Sequence, residues 1–523
     1  MNSAVVFDRV TNAARERRAA ASDAALVGLG AFLVGLAGAH QPSFWKDEAA
    51  TISVATRAPS QMWEMLSSVD AAHGLYYFLM HAWFAMVPVT EFWARVPSAV
   101  LIGVAAAGVV VLGRLLSSRY VAVAAGVAFA VLPRTTWAAV EARSYALTMA
   151  IAVWLTVLCV IATRRNQPWL WLAYSASLAA ATVANLFLLL MVCAHVAVVA
   201  ATANSKRAKA AAGFAAMLGV ALAAPFLLLV RSQLTAFNWI WPIGPATIGQ
   251  ALGDQYFPAV YSSRHQAQDP DQTQLTPEMI DATVRSWALV APVLLVVVIL
   301  GVVAVRNRRN AQFVAGSRPR VLVAVSAAWI VGPTTAMVIY SLVQTPVYVP
   351  RYLSFTTPAV GLLIGLAAAV AGVHARRIAA IIAILVVASV PNYLAQRSAY
   401  AKFGMDYSQV ADLVETASSP GDCLVIDDSV EETKQLKSAR PDAYPQLRDI
   451  GQDKDGAELR TWSESRLPAS AWAPRVTTCP RVWMITHRDA ATVGEVSNIV
   501  RSHGFRVEQR WEFNLHQVAR LKR

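Results

Sequence analysis

Charged residues are scarce in this chain: Asp, Glu, Lys and Arg make up 15% of its 523 residues, against about a quarter in soluble domains. That deficit excludes an ordinary soluble globular protein. With 56% hydrophobic residues and a mean hydropathy of +0.45, the chain reads as one that crosses a membrane many times. Cysteine is equally sparse. Cys159 and Cys193 fall inside apolar stretches as small buried hydrophobes, and no Cys and His spacing matches a zinc site. Cys423 and Cys479 lie in the polar C-terminal part and are a disulfide candidate if that part sits outside the cytosol. The sequence has no internal repeat and no low-complexity tract, so the repeated halves of many transporters are missing. Acidic residues are outnumbered 32 to 45, for a net charge of +13. Yet the basic residues fall in short runs between apolar segments and in the tail, a pattern that orients membrane helices and speaks against a nucleic-acid partner.

What is present is a series of membrane-length apolar stretches. They run from Ala24 to His40, Trp93 to Gly113, Tyr120 to Trp137, Ser144 to Thr163, Trp169 to Ala184, Leu186 to Ala203, Ala210 to Val230, Trp287 to Val305, Val321 to Leu342, Tyr352 to Val373 and Ile378 to Leu394, about eleven helices. The first, which follows a basic segment and lacks a small-residue cleavage site, reads as a retained helix rather than a removed signal peptide. With a cytoplasmic N-terminus, the clusters Arg114 and Arg119, Arg164 and Arg165, Lys206 to Lys209, Arg306 to Arg320 and Arg376 with Arg377 all fall inside. The connections Gln41 to Phe92, Arg134 to Arg143, Arg231 to Ser286 and Gln344 to Arg351, and everything after Gln396, then lie outside. Leu75 to Val87 does not fit this count as a span and reads as an interfacial or re-entrant helix.

The expected fold class is therefore mainly α, a polytopic transmembrane helical bundle over residues 1–395, followed by an extracytoplasmic α/β domain over residues 396–523. In that tail, Met405 to Ser418 reads as a helix, Cys423 to Ile426 and Arg481 to Thr486 as strands, Ala490 to Ser502 as a helix and Phe505 to Leu521 as a hairpin. Asp427 to Ala469 reads as a long polar excursion. The expected location is the plasma membrane.

Polar residues far apart in sequence collect at one membrane boundary under this topology. Asp47 and Glu48, in Phe44-Trp45-Lys46-Asp47-Glu48-Ala49, are costly to hold near lipid, so chemistry explains them better than packing. Adjacent side chains diverge, so Asp47 is expected as the general base and Glu48 as its support; a solvated loop or helix cap is the competing explanation. Arg143 and Arg351 offer the guanidinium fork that suits a lipid-linked phosphate, with Tyr352 and Lys46 beside them; ion pairing with Glu141, or anchoring at the membrane surface, competes, and for Lys46 a plain solvated side chain is favoured over added charge at the site. Arg351 follows Pro350, expected to end a helix and turn the arginine inward. His73, Tyr77, Arg95, Glu141 and Tyr145 complete the set as substrate-binding candidates, although His73 or Arg95 could equally be structural. Trp239, Trp241, Tyr256, Phe257 and Tyr261 suit sugar stacking or a headgroup boundary, and the boundary is favoured.

The strings Phe44 to Ala49, His73-Gly74-Leu75-Tyr76-Tyr77, Ala94-Arg95-Val96-Pro97, Glu141-Ala142-Arg143-Ser144-Tyr145 and Pro350-Arg351-Tyr352 together resemble the GT-C superfamily of integral membrane glycosyltransferases. The similarity is greatest to the bacterial branch related to protein O-mannosyltransferases and to actinobacterial mannosyltransferases. It covers roughly the first four hundred residues. The resemblance implies a polyprenyl-phosphate sugar donor, with mannose foremost, and transfer with inversion on the extracytoplasmic face. The acceptor would be a cell-envelope glycan, glycolipid or protein. It also places the catalytic base in the first-loop acidic motif and phosphate recognition on basic residues that Arg143 and Arg351 match. Some branches hold a divalent cation near that motif; the lack of a second clear acidic cluster favours no cofactor and no metal here. An arabinosyltransferase using the same carrier, a transporter or flippase of lipid-linked sugar, and a scaffold with a large outer domain are the alternatives.

Overall fold

The computed structural model describes residues 3–234, 239–265, 275–310, 312, 319–427, 435–488 and 493–523. All eleven expected apolar stretches are helical, and their lengths separate them into classes. Eight are long and apolar enough to cross a membrane. One pair, Arg119–Val131 and Pro133–Ala139, is bent by 60°. Two are shorter, Pro168–Ala184 with 17 residues and Leu186–Thr202, whose first turns are 3₁₀. The bend has a local cause. Leu132 is extended (φ −60°, ψ 137°) because a residue before proline avoids the helical region, and Pro133 then restarts the helix in a new direction.

The Tyr145–Arg165 and Pro350–Gly372 helices are central, with 72% and 89% of their apolar windows inside the protein, whereas Pro277–Arg306 has only 17% and presents its apolar surface outward. Small residues permit the close helix crossings. A Cβ on Gly28 would lie 2.9 Å from the Gly103 carbonyl oxygen and one on Gly103 would lie 2.8 Å from that of Gly28, so the Ser3–Leu36 and Glu91–Leu116 helices meet backbone to backbone. This crossing fixes the helix that carries Arg95.

The connection from Gln41 to Phe92 is a folded layer rather than a loop, with helices at Lys46–Ala55, Pro59–Leu66 and Gly74–Phe84. The last has 11 residues, about 16 Å of helix, too short for a hydrocarbon core of about 30 Å.

The tail forms a five-stranded sheet in the order β2-β1-β3-β5-β4. β1 (Cys423–Ile426), β2 (Arg448–Asp449) and β3 (Arg481–His487) run parallel, and β4 (Arg506–Glu512) and β5 (His516–Lys522) add antiparallel. The helices Tyr407–Ala417 and Val493–Ser502 fall where the sequence indicates, although the expected start of the second at Ala490 lies outside the described residues. Side-chain alternation along the strands joins the tail to the bundle. Cys423, Val425, Val482 and Met484 pack into the tail's own core, while Leu424, Ile426, Trp483 and Ile485 belong to the core that continues into the helices.

Cys423 and Cys479 are joined in a disulfide that closes a 56-residue separation. Loop-closure entropy for that length amounts to about 4 kcal/mol, and native disulfides typically contribute about 2–4. A Cys479→Ser variant is expected to unfold its tail earlier in denaturant by that amount, as measured by limited proteolysis; an unchanged midpoint counts against the bond as a staple.

Candidate active site

The site is built around the Lys46–Ala55 helix, entered through Trp45 in an extended conformation (φ −136°, ψ 178°). Asp47 and Glu48 occupy its first turn, where exposed backbone N–H groups favour carboxylates. Successive residues rotate by about 100° around a helix, so the two acids part company. Glu48 points into the protein and is fully buried, whereas the Asp47 side chain remains 23% exposed.

Glu48 is consumed by structure. Its Oε1 accepts from Arg95 Nε at 2.8 Å and from the Ala142 backbone N–H at 2.9 Å, and its Oε2 accepts from Arg95 Nη2 at 2.7 Å. Arg95 gives its remaining N–H groups to the carbonyls of Ala39, Pro42 and Ser43. All five guanidinium donors are therefore used inside the fold, and Arg95 has none left for a substrate. Glu48, expected as the support of Asp47 in the catalytic pair, supports it only through the fold, and Arg95, expected as a substrate ligand, has no donor to offer one: the pair clamps the start of the Asp47 helix against the bundle.

Glu141 is likewise removed from the substrate-binding set. It is fully buried, accepts from Trp45 Nε1 at 2.5 Å and forms an ion pair with Lys402, itself buried beneath the Trp137 ring at 4.6 Å. This pair ties the segment leading into the tail to the bundle. Its neighbours reinforce the link: Phe44 N–H donates to Ser408 Oγ at 3.1 Å, and Ser408 N–H donates to Ser43 Oγ at 3.0 Å.

Arg143, Arg351, Tyr77, Tyr145 and His73 do come together with Asp47. Arg143 is 7% exposed and its Nη1 reaches Tyr77 Oη at 3.1 Å, Thr51 Oγ1 at 3.3 Å and the Asp47 carbonyl at 3.4 Å. Its Nε is buried without a hydrogen-bond partner among the described residues. Arg351 places Nη2 3.5 Å from Asp47 Oδ2 and donates from Nε to Tyr145 Oη at 3.2 Å. Pro350 opens the 3₁₀ segment Pro350–Thr356 rather than ending a helix, since proline suits a first turn. Tyr352 is buried, with its ring stacked on Phe187 at 5.5 Å. The Lys46 ammonium has no ion-pair partner among the described residues. His73 Nδ1 is buried and unpartnered, and burial together with the Arg143 charge holds its imidazole well below the usual range, so it is neutral.

Asp70 was absent from the expected set. It sits at φ +61°, accepts from Tyr77 Oη, and its Oδ1 lies 3.9 Å from His73 Nε2. Burial pushes its carboxyl up to about 6. The only sequence signal for it was its place three residues before His73. Lys402 had none, because a lysine between Ala401 and Phe403 in a polar linker reads as solvated.

No protein-family model matches the sequence, and no curated protein matches it. The three-dimensional comparison is more informative. ArnT from Cupriavidus metallidurans in the apo state superposes with a TM-score of 0.52 at 13% identity, covering 95% of this chain and 97% of that one. The same protein bound to undecaprenyl phosphate gives 0.50 at 14% identity with the same coverage. The fold is GT-C-like. Both the bundle and the tail are needed to reach that coverage, so the GT-C-like architecture extends beyond the four hundred residues that the sequence strings span. At such low identity the GT-C-like fold is carried by the arrangement of helices, not by shared side chains.

Proposed function

We propose that this protein is a membrane glycosyltransferase that moves a sugar, with mannose favoured, from a polyprenyl-phosphate donor to a cell-envelope acceptor, with inversion. Residues 1–395 form the catalytic bundle and residues 396–523 an extracytoplasmic domain. The arginine-rich ends of the helices, opposite the Asp47 end, face the cytoplasm of a multi-pass plasma-membrane protein.

The observation that carries the reading is the buried Arg143 guanidinium, with an unpartnered Nε, beside a partly exposed Asp47 that Arg351 flanks on another side. A buried cation with an unused donor is costly unless an anion completes it, and a phosphate oxygen is a matched acceptor. The ArnT structure contains undecaprenyl phosphate on the same fold, which supports a lipid phosphate as that anion.

In the proposed step, Asp47 takes the proton of an acceptor hydroxyl. The oxygen bonds to the anomeric carbon as the bond from that carbon to the phosphate oxygen breaks, and the departing polyprenyl phosphate keeps the electron pair. Arg143 and Arg351 hold its negative charge, and Tyr77 and Tyr145 hold the arginines. In this reading the unpartnered Nδ1 of His73 adds a further polar group near Arg143 for a sugar or phosphate oxygen.

The test uses purified protein in nanodiscs with radiolabelled polyprenyl-phosphomannose or polyprenyl-phosphoarabinose. Consumption of one of them with release of polyprenyl phosphate is expected. Failure to consume either removes the reading.

A further inference from the structure

A row of aromatic rings runs through the site. Arg351 lies 5.5 Å from the Trp239 ring and 5.5 Å from the Trp45 ring. Trp45 also meets Phe403 at 4.6 Å, and Phe403 stacks on Tyr261 at 6.1 Å with the rings within 7° of parallel. The order is Trp239, Arg351, Trp45, Phe403, Tyr261. Trp45 is buried between its neighbours, but Phe403 is 37% exposed.

Phe403 also adopts an unusual backbone. Its φ is +56°, a left-handed conformation that costs a non-glycine residue about 1–2 kcal/mol. The chain on either side is pinned: Lys402 is drawn inward to Glu141, and the Gly404 carbonyl accepts from Asn514 Nδ2 at 2.6 Å. The fold thus turns Lys402 in and Phe403 out, displaying an apolar ring at a strained position, one ring away from Arg351. Strain held by its surroundings at such a place points to function. Headgroup anchoring does not explain the ring, because Phe403 lies between bundle and tail, stacked on Trp45 and Tyr261. Trp241, 53% exposed, suits that task better.

We infer that Phe403, backed by Tyr261, is the platform on which the ring of a saccharide acceptor stacks, so that the acceptor is a glycan rather than a protein side chain. This rests on the proposed glycosyl transfer and narrows its acceptor. In the proposed reaction Arg351 marks the leaving phosphate, and Phe403, one ring away across Trp45, holds the acceptor near it. Apolar faces of sugar rings and aromatic side chains match in size and bury surface that hydroxyl hydrogen bonds alone do not.

The test compares the full-length protein with Phe403→Gly, in which glycine accepts the positive φ and so preserves the backbone while removing the ring. Tyr261→Ala is the second variant, which needs no unusual backbone. Each is assayed in nanodiscs with the polyprenyl-phosphate sugar that the wild type consumes, using α-mannobiose, an arabinose disaccharide, or a Ser/Thr-rich peptide as acceptor. The expected result is transfer to a disaccharide, with the acceptor KM raised about tenfold in both variants and the donor KM unchanged within about twofold. Transfer to the peptide alone overturns the inference while leaving the glycosyltransferase reading intact. So does transfer to a disaccharide with an acceptor KM that neither variant changes. No turnover of either donor with any acceptor removes the underlying reading and this inference together.

Discussion

Asp47→Asn is expected to lower transfer by about 10²–10⁴-fold while leaving the protein folded and inserted. The substitution preserves shape but removes the one carboxylate of the acidic pair that remains partly exposed. It costs little stability, because it weakens only a 3.5 Å ion pair with Arg351 at a partly solvated position, worth about 1 kcal/mol or less. The comparison that matters is with Glu48→Gln, next door in sequence. Glu48 accepts three hydrogen bonds from Arg95 and the Ala142 amide, so its loss should appear first as a lower unfolding temperature. Radiolabel transfer measured together with thermal unfolding in detergent separates the two. Near-normal transfer by Asp47→Asn rules Asp47 out as the base.

Arg95→Ala carries the largest expected stability effect. It leaves Glu48 as an unpaired, fully buried carboxylate and strands three backbone carbonyls, a loss of about 3–5 kcal/mol. Arg95→Lys should recover little of this, because a single ammonium cannot reproduce five donors in a fixed plane. Replacing Glu48 and Arg95 together by apolar residues of similar volume should restore much of the stability but not full transfer, since the Asp47 helix loses its clamp. A single Arg95→Ala protein with wild-type yield and unfolding temperature contradicts this account.

The two acids show where sequence reasoning reached and where it stopped. Helical rotation implied that only one of a neighbouring pair could face a substrate, and of the two Asp47 is the one left partly exposed. Arg95 and Glu141 were grouped with Arg143 and Arg351 because all lie at the same bundle end, and that much is seen. Which of them are already satisfied within the fold depends on partners such as Ala39, Trp45 and Lys402, up to 261 residues away, for which no local signal exists. The tail was legible for a different reason. Alternating apolar strands and turn residues announce themselves within a few positions, whereas the two-residue edge strand β2 is too short to do so.

Sequence alone determined that the chain is a helical membrane protein with a mixed α/β tail, because apolar length and side-chain period are local quantities that the bilayer and the backbone impose. It also indicated which charged residues would gather at one end of the bundle, since the alternation of apolar spans and polar connections is itself local. Tertiary structure decided which of those charges remain available. Hydrogen-bond capacity is finite, and only the packed neighbours reveal that Arg95 has spent its donors while Arg143 has not.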